Sequence, residues 1–251
     1  MQISAETFFA EALKTIERLR SEQMDNIKEA AGIMAGSILD DGIIHIFGSG
    51  HSKAFGMELS HRAGGLAPMN AISLDDLALK ADNPISYEEL RKPETERQPE
   101  NGLKVLAIHN IKPEDAFILV SNSGRNGAII EIALEVKRRG MPVIAVTSLE
   151  HSSRTTSRHP SGKKLYEIAD VVIDNCGPYG DALLPVEGMD MQVCSISSIS
   201  NAFIAQSMAA EVIKHLLEQG VQPPVFISQN VDGADEFNER LRVKYEDRVY
   251  F

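Results

Sequence analysis

Apolar residues recur along this chain with two different spacings, and the alternation between them predicts its architecture. Short, nearly continuous apolar runs occur at Ile43-Ile-His-Ile-Phe47, Met69-Asn-Ala-Ile-Ser73, Phe117-Ile-Leu-Val120, Pro142-Val-Ile-Ala-Val-Thr147 and Asp170-Val-Val-Ile-Asp174. Such runs suit strands buried on both faces of a parallel sheet. Elsewhere the apolar steps lengthen to three and four. Phe8, Phe9, Leu13, Ile16 and Leu19, followed by Ile27, Ala30, Ile33, Met34 and Ile38, predict one or two helices over residues 4–39. Ile129, Ile130, Ala133, Leu134 and Val136 predict a helix from Gly127 to Arg139, stopped by Gly140 and Pro142. Further helices are expected from Lys53 to about Arg62, near Leu165, and over residues 191–218, where the first half is Ser-rich. Strands alternating with helices imply an α/β fold: a doubly wound, parallel, five-stranded sheet flanked by helices, with a long N-terminal helix.

Three segments follow from this pattern. Residues 1–40 form a helical lead that packs on the sheet domain or on a partner subunit. Residues 41–220 form the sheet domain. Within it, residues 80–102 carry Asn83-Pro84, Pro93 and Pro99 among many charges, and read as an exposed insert with at most a short helix, Tyr87 to Arg91. That insert is either a solvated surface excursion or a lid. Cys176 to Met189 reads as irregular, and the tail, residues 221–251, as neither a linker nor a clean helix.

In open parallel sheets, ligands bind beyond the carboxyl ends of the strands. Two loops fall there. Ile43–Phe47 runs into Gly48-Ser49-Gly50-His51-Ser52, and Phe117–Val120 runs into Ser121-Asn122-Ser123-Gly124-Arg125-Asn126. Each joins a buried strand to a helix, so free backbone N–H groups, hydroxyls and a positive helix end converge, which suits a phosphate. Neither loop is a dinucleotide fingerprint, because Lys53 stands where the third glycine belongs. Neither is a P-loop or a nucleophile elbow, since Ser52 precedes Lys53 and Ser121 stands two residues before Ser123.

Charge and composition narrow the classes further. With 36 acidic and 25 basic residues the chain carries a net charge of −11, which argues against broad contact with nucleic acid. No apolar run approaches a membrane span, and no signal-peptide core precedes the first helix, so a cytoplasmic protein is expected. Two cysteines are too few for a disulfide framework. Neither a metal-ligand spacing nor a calcium-loop spacing is found, even at Asp232-Gly-Ala-Asp235.

Gly-x-Gly-x-Ser after one strand and Ser-x-Ser-Gly-x-Asn after another, with Asp115 ahead of the second strand and Lys137-Arg-Arg-Gly140 leading into Val143–Thr147, resemble the SIS (sugar isomerase) domain family. The likeness covers about Asp41 to Leu217, in a subgroup close to the phosphoheptose isomerases. It implies a flavodoxin-like fold, a phosphosugar ligand, no cofactor, and a homodimer or homotetramer with its site at a subunit interface. Carried over by position, Ser52, Ser121 and Ser123 hold the phosphate, with the backbone N–H of Asn122. Asn126 stands where the family has Thr or Ser and can donate through its amide. Arg125 either adds a charge-assisted bond or faces solvent, and solvent is favoured. Gly50, His51, Ser197 and Ser198 fall where the family touches the sugar. An aldose–ketose isomerase needs a group to move a proton between adjacent carbons and another to open the ring, tasks suited to Glu and His. Glu58 and His61, three residues apart on the helix after the first loop, and Glu187, ahead of the last helix, are the candidates. A non-catalytic phosphosugar sensor and an amino-sugar-phosphate lyase or etherase are the alternatives.

Overall fold

The computed structural model describes residues 3–250; residues 1–2 and 251, at the ends of the outer two predicted segments, lie outside the described residues. Five parallel strands run in the order β2 (Met69–Ile72), β1 (Ile44–Gly48), β3 (Ala116–Val120), β4 (Val143–Thr147) and β5 (Val171–Asp174). Alternate side chains of each strand enter one of two apolar layers. Ile44, Ile46, Ile118, Val120, Ile144 and Val146 pack under α2 (Met24–Leu39), α3 (Lys53–Leu59) and α9 (Ser197–Glu218). Phe47, Phe117, Leu119, Val143 and Ala145 pack under α6 (Pro99–Ile108) and α7 (Gly127–Arg138). Burial on both faces is why these strands are apolar without alternation. No helix among the described residues is long and apolar enough to cross a membrane.

The expected long leading helix is two helices, α1 (Ala5–Glu22) and α2. Ser4 caps α1, its side chain accepting the Thr7 N–H. Gln23 separates the two: its buried side-chain oxygen accepts the N–H of Asp174 at 3.1 Å, drawing the joint onto the end of β5. After β2 come two short helices, α4 (Asp76–Leu79) and α5 (Tyr87–Leu90). The last residues of the expected insert already belong to α6, whose Asn101 and Gly102 are buried.

Four further elements depart from expectation. Helix α8 (Leu149–Ser153) follows β4, and the helix expected near Leu165 is a single 3-10 turn, Leu165–Glu167. The segment expected to be irregular contains an antiparallel hairpin, β6 (Ala182–Pro185) with β7 (Gln192–Ser195), so α9 starts at Ser197 and not near 191. The tail contains a helix, α10 (Ala234–Tyr245), and Phe226, Tyr245 and Val249 close over Ile43 and Ala67 in a third apolar cluster.

Beneath the sheet's amino-terminal edge lies a buried polar chain. The Asp115 carboxylate accepts the N–H groups of Ile43 (2.9 Å) and Lys112 (2.8 Å) and the guanidinium of Arg248, at 2.6 and 2.7 Å. His45 Nε2 lies 3.1 Å from the same carboxylate, and His109 Nε2 lies 3.1 Å from Asp76. Asn70 Nδ2 lies between the two rings, 3.1 Å from His45 Nδ1 and 3.3 Å from His109 Nδ1. With both carboxylates ionised, each ring donates from Nε2 and accepts at Nδ1, so the two protons of the Asn70 amide are both used.

Burial pushes the Asp115 carboxyl up, but the His45 hydrogen bond and the Lys112 and Ile43 amides push harder, and it lies below the usual carboxylate range. Burial pulls His45 down from its ordinary value despite Asp115.

Replacing Arg248 with Met leaves a buried carboxylate short of its cation and should lower the unfolding free energy by about 3–5 kcal/mol, read by urea denaturation. The unfolded chain takes a proton at His45 near pH 6.5 that the fold resists, so stability should fall as pH drops below about 6.5 and fall further below about pH 4 as Asp115 is forced to protonate. Melting temperatures measured from pH 8 to pH 4 check the sign; a flat or rising profile on acidification would contradict it.

Candidate functional site

Parallel pairing sets Gly48 opposite Val120, so the loops after β1 and β3 leave the carboxyl edge of the sheet side by side. In the first, residues Gly50–Ser52 make one 3-10 turn that leads directly into α3. In the second, the Ser121 N–H extends the ladder to Val146, and Ser121 Oγ accepts the Gly124 N–H at 3.1 Å. The Ser121 hydroxyl proton stays available to donate. Gly124 adopts φ +52°, a left-handed conformation that glycine takes without steric cost. Gly127 opens α7 with the Arg97 carbonyl where a Cβ would stand, so the chain ahead of α6 sits tightly on the helix start.

Among the described residues, the backbone N–H groups of Asn122, Ser123, Arg125, Asn126 and Gly127 have no protein acceptor, and the hydroxyls of Ser52 and Ser123 have no protein partner. The loop N–H groups from Asn122 to Gly127 lead into the positive end of a 12-residue helix. Asn122 is held from below: its side-chain oxygen accepts from Asn175 at 2.6 Å. The Asn126 side-chain oxygen accepts from Arg158 Nη1 at 2.7 Å, which leaves its NH2 group free to donate.

Three cations wrap this loop. Arg125, expected to face solvent, is only partly exposed, and its Nε is enclosed without an acceptor. Arg158 donates its backbone N–H to the Arg125 carbonyl at 2.8 Å. The Lys164 ammonium, on a side chain almost wholly buried, donates to the Ser152 carbonyl (2.8 Å), the Thr155 carbonyl (3.2 Å) and Thr155 Oγ1 (2.6 Å). All three acceptors are neutral. Burial, then the charge of Arg125, brings Lys164 down to about 8. Burial and the neighbouring Arg125 and Arg97 also lower Arg158. Arg158 and Lys164 were not among the expected site residues; the only signal was the basic, Ser/Thr-rich stretch from His151 to Lys164.

Beside Ser52, the chain forms a crevice of about 60 Å³ between α3 and α9, lined by His51, Phe55, Glu58, Ser198 and Asn201. The Glu58 carboxylate accepts from Gln206 Nε2 at 2.8 Å and pairs with Arg62. His51, Glu58 and Ser198 thus share this crevice, while Gly50 and Ser52 flank His51 in the loop that leaves β1 beside the loop after β3.

Three expected residues are placed otherwise. His61 does not share a helix face with Glu58: α3 ends at Leu59, and His61 takes φ +54° beyond it, toward the tail. Glu187 is exposed in the turn of the β6–β7 hairpin. Ser197 is buried, and both its N–H (2.9 Å) and its hydroxyl (2.7 Å) are taken by the Asp181 carboxylate, which caps α9.

With this geometry in hand, likeness to other proteins becomes informative. Residues 7–148 match the family model described as SIS domain. A UPF0309 protein of Caldanaerobacter subterraneus is 42% identical over 245 residues, covering 96% of this chain and 97% of the relative. The structure of phosphoheptose isomerase from Neisseria gonorrhoeae superposes with a TM-score of 0.54 at 18% identity, covering 83% of this chain and 96% of that one. The Vibrio vulnificus NanR protein complexed with ManNAc-6P superposes with a TM-score of 0.50 at 13% identity, over 95% of this chain and 67% of its own. At these identities the two structures speak for the fold, while the family model and the curated relative place the sequence itself: the chain belongs to the SIS domain family, among the UPF0309 proteins.

Proposed function

We propose that this protein binds a sugar phosphate at the Ser121–Gly127 loop and interconverts its aldose and ketose forms by general acid/base proton transfer. One observation carries the reading. Unpaired N–H groups and the Ser121 and Ser123 hydroxyls sit on a loop flanked by Arg125, Arg158 and Lys164, whose hydrogen-bond acceptors among the described residues include no carboxylate. A dianion in that cradle supplies the missing negative charge. Ser52, Ser121, Ser123, the Asn122 N–H and the Asn126 amide are the donors to the phosphate oxygens, and Arg125 adds charge.

With the phosphate held there, the sugar reaches over Gly50 toward the crevice that contains His51, Glu58 and Ser198. Glu58, ion-paired with Arg62, takes the proton from the carbon beside the carbonyl, giving an enediol, and returns it to the adjacent carbon. His51 moves the hydroxyl protons that ring opening and the enediol require. The balance is internal: one C–H bond breaks, one forms, and no oxidant or cofactor takes part. The neighbours' ligands support the class: phosphoheptose isomerase is named for a phosphosugar, and NanR carries ManNAc-6P.

The crevice opens onto an apolar surface. Phe203 is half exposed in the groove shared with Glu58, and Met57 beside it is largely exposed. We infer that a second subunit covers this face and completes the site, in a homodimer or homotetramer.

Two measurements test the proposal. Across a panel of purified sugar phosphates, Glu58→Gln should lower kcat about 100- to 10,000-fold with little change in KM, while Ser123→Ala should weaken binding by roughly 1.5–3 kcal/mol. Binding without turnover of any sugar in the panel would shift the reading to a sensor, and undiminished affinity in Ser123→Ala would remove the phosphate cradle. Phe203→Asp should dissociate the oligomer in light-scattering measurements and reduce turnover; an unchanged mass would place the subunit contact elsewhere.

A further inference from the structure

The loop after β1 opens onto two spaces of very different size. Toward α9 lies the crevice of about 60 Å³, room for a few water molecules. Toward β2 and the insert lies a cavity of about 670 Å³, within the range usual for small-molecule sites. Its walls are the first loop at Ser49 and Gly50, the start of α4 at Leu74 and Asp75, and the insert. The insert wall is fixed in place. The Ser49 hydroxyl donates to Glu96 Oε2 at 2.8 Å, and the Glu96 carbonyl accepts the Ala128 N–H of α7 at 3.1 Å. Behind it, Thr95 is buried, with its hydroxyl on the Glu89 carbonyl (2.6 Å) and its own carbonyl on Asn101 Nδ2 (2.9 Å). The insert is thus tied to the first loop and to the helix that carries the second.

Two kinds of surface meet in this cavity. One is polar: Lys53 pairs with Asp75 through Oδ2 and Ser49 meets Glu96 through Oε2, so the second oxygen of each carboxylate has no hydrogen-bond partner among the described residues. The other is apolar and open: Tyr87 and Leu79 are 70% and 78% exposed, and the Arg91 guanidinium lies 5.5 Å from the Tyr87 ring. A purely apolar group would take water from both carboxylates and give them no donor in return. A sugar ring matches both surfaces, with hydroxyls for the carboxylate oxygens and a C–H face for Tyr87.

We propose that this cavity is a second saccharide subsite, and that the ligand is a phosphosugar carrying a further sugar unit on a carbon between its phosphate and its carbonyl. The inference rests on the proposed function, in which the sugar crosses Gly50 on its way to the crevice and so passes the mouth of the cavity. A group borne on those middle carbons turns into the space beside the insert. Glu96 and Asp75 accept its hydroxyls, and Tyr87 covers its face. The insert then selects the substrate, and is neither a solvated excursion nor a moving lid.

Calorimetric titration of the full-length protein with inorganic phosphate, glucose 6-phosphate, and glucose 6-phosphate glucosylated at O3 or O4 in either anomer tests this. At least one glucosylated form should bind about tenfold or more tighter than glucose 6-phosphate, the gain of one hydrogen bond to a charged group. Tyr87→Ala, at an exposed position, and Asp75→Asn should each remove most of that gain and leave the affinity for inorganic phosphate as it was. Should inorganic phosphate bind while no glucosylated form gains over glucose 6-phosphate, the subsite is overturned and the phosphate cradle stands. A gain that both variants leave untouched overturns the subsite as well. A gain lost in both variants, with every affinity indifferent to Ser123→Ala, would support the subsite and remove the cradle. Absence of binding by every probe would remove both.

Discussion

Everything at the carboxyl edge of this sheet depends on a carboxylate at the opposite edge. Asp115 has no exposed surface, and it accepts from the amide that begins β1, from the turn before β3, from His45 within β1 and from Arg248 in the tail. Three separate parts of the chain are thus tied to one group. A one-residue slip between β1 and β3 would break the Ile43 and His45 contacts and would also turn each side chain toward the wrong layer. Because the register is held at the base, Gly48 and Val120 end level at the top, and the two loops begin side by side. The cradle's geometry is a consequence of that distant anchor.

How much of this was legible in the residues follows from the physics of each part. The five strands were, because a strand covered on both faces must be apolar throughout. The two loops were, because a buried strand that breaks into small hydroxyls and glycine has few other uses. Helix α6 was not: its buried side includes Asn101 and Gly102, so the apolar period is interrupted where it packs tightest. Helix α10 was not either, since it is polar on most sides and buries only Ala234, Asn238 and Tyr245. In the site, residues next to a loop in sequence could be named. Arg158 and Lys164 could not, because they reach the Ser123–Asn126 loop through a chain crossing, with the Arg158 N–H on the Arg125 carbonyl and the Leu165 N–H on that of Gly124. The three-residue step from Glu58 to His61 misled because it assumed a helix that the chain ends at Leu59.

The tail explains why residues 60–67 take their path. Short antiparallel bonding between Gly64–Ala67 and Pro224–Phe226 draws the chain after α3 away from the carboxyl edge, and Arg248 carries the same segment onward to Asp115. The C-terminal residues therefore close a third apolar cluster over Ile43 and Ala67, and they line a space with His61, Arg62 and Arg242. Arg62 is the point of contact between that space and the crevice. Its guanidinium pairs with Glu58.

A net charge of −11 is no obstacle to the anion proposed at the Ser121–Gly127 loop. At physiological ionic strength the fields of exposed acids are screened over a Debye length of about 8 Å, so the charge that matters is local and poorly hydrated. Around the Ser121–Gly127 loop that charge is positive: Lys164, almost wholly buried, is brought to about 8 by burial and by Arg125, and the exposed Arg158 is also lowered. Burial and like charge both disfavour the charged form of Lys164. The dianion proposed for this loop would offset that cost, so the sign of its binding is set within a few ångströms, whatever the sum over the surface.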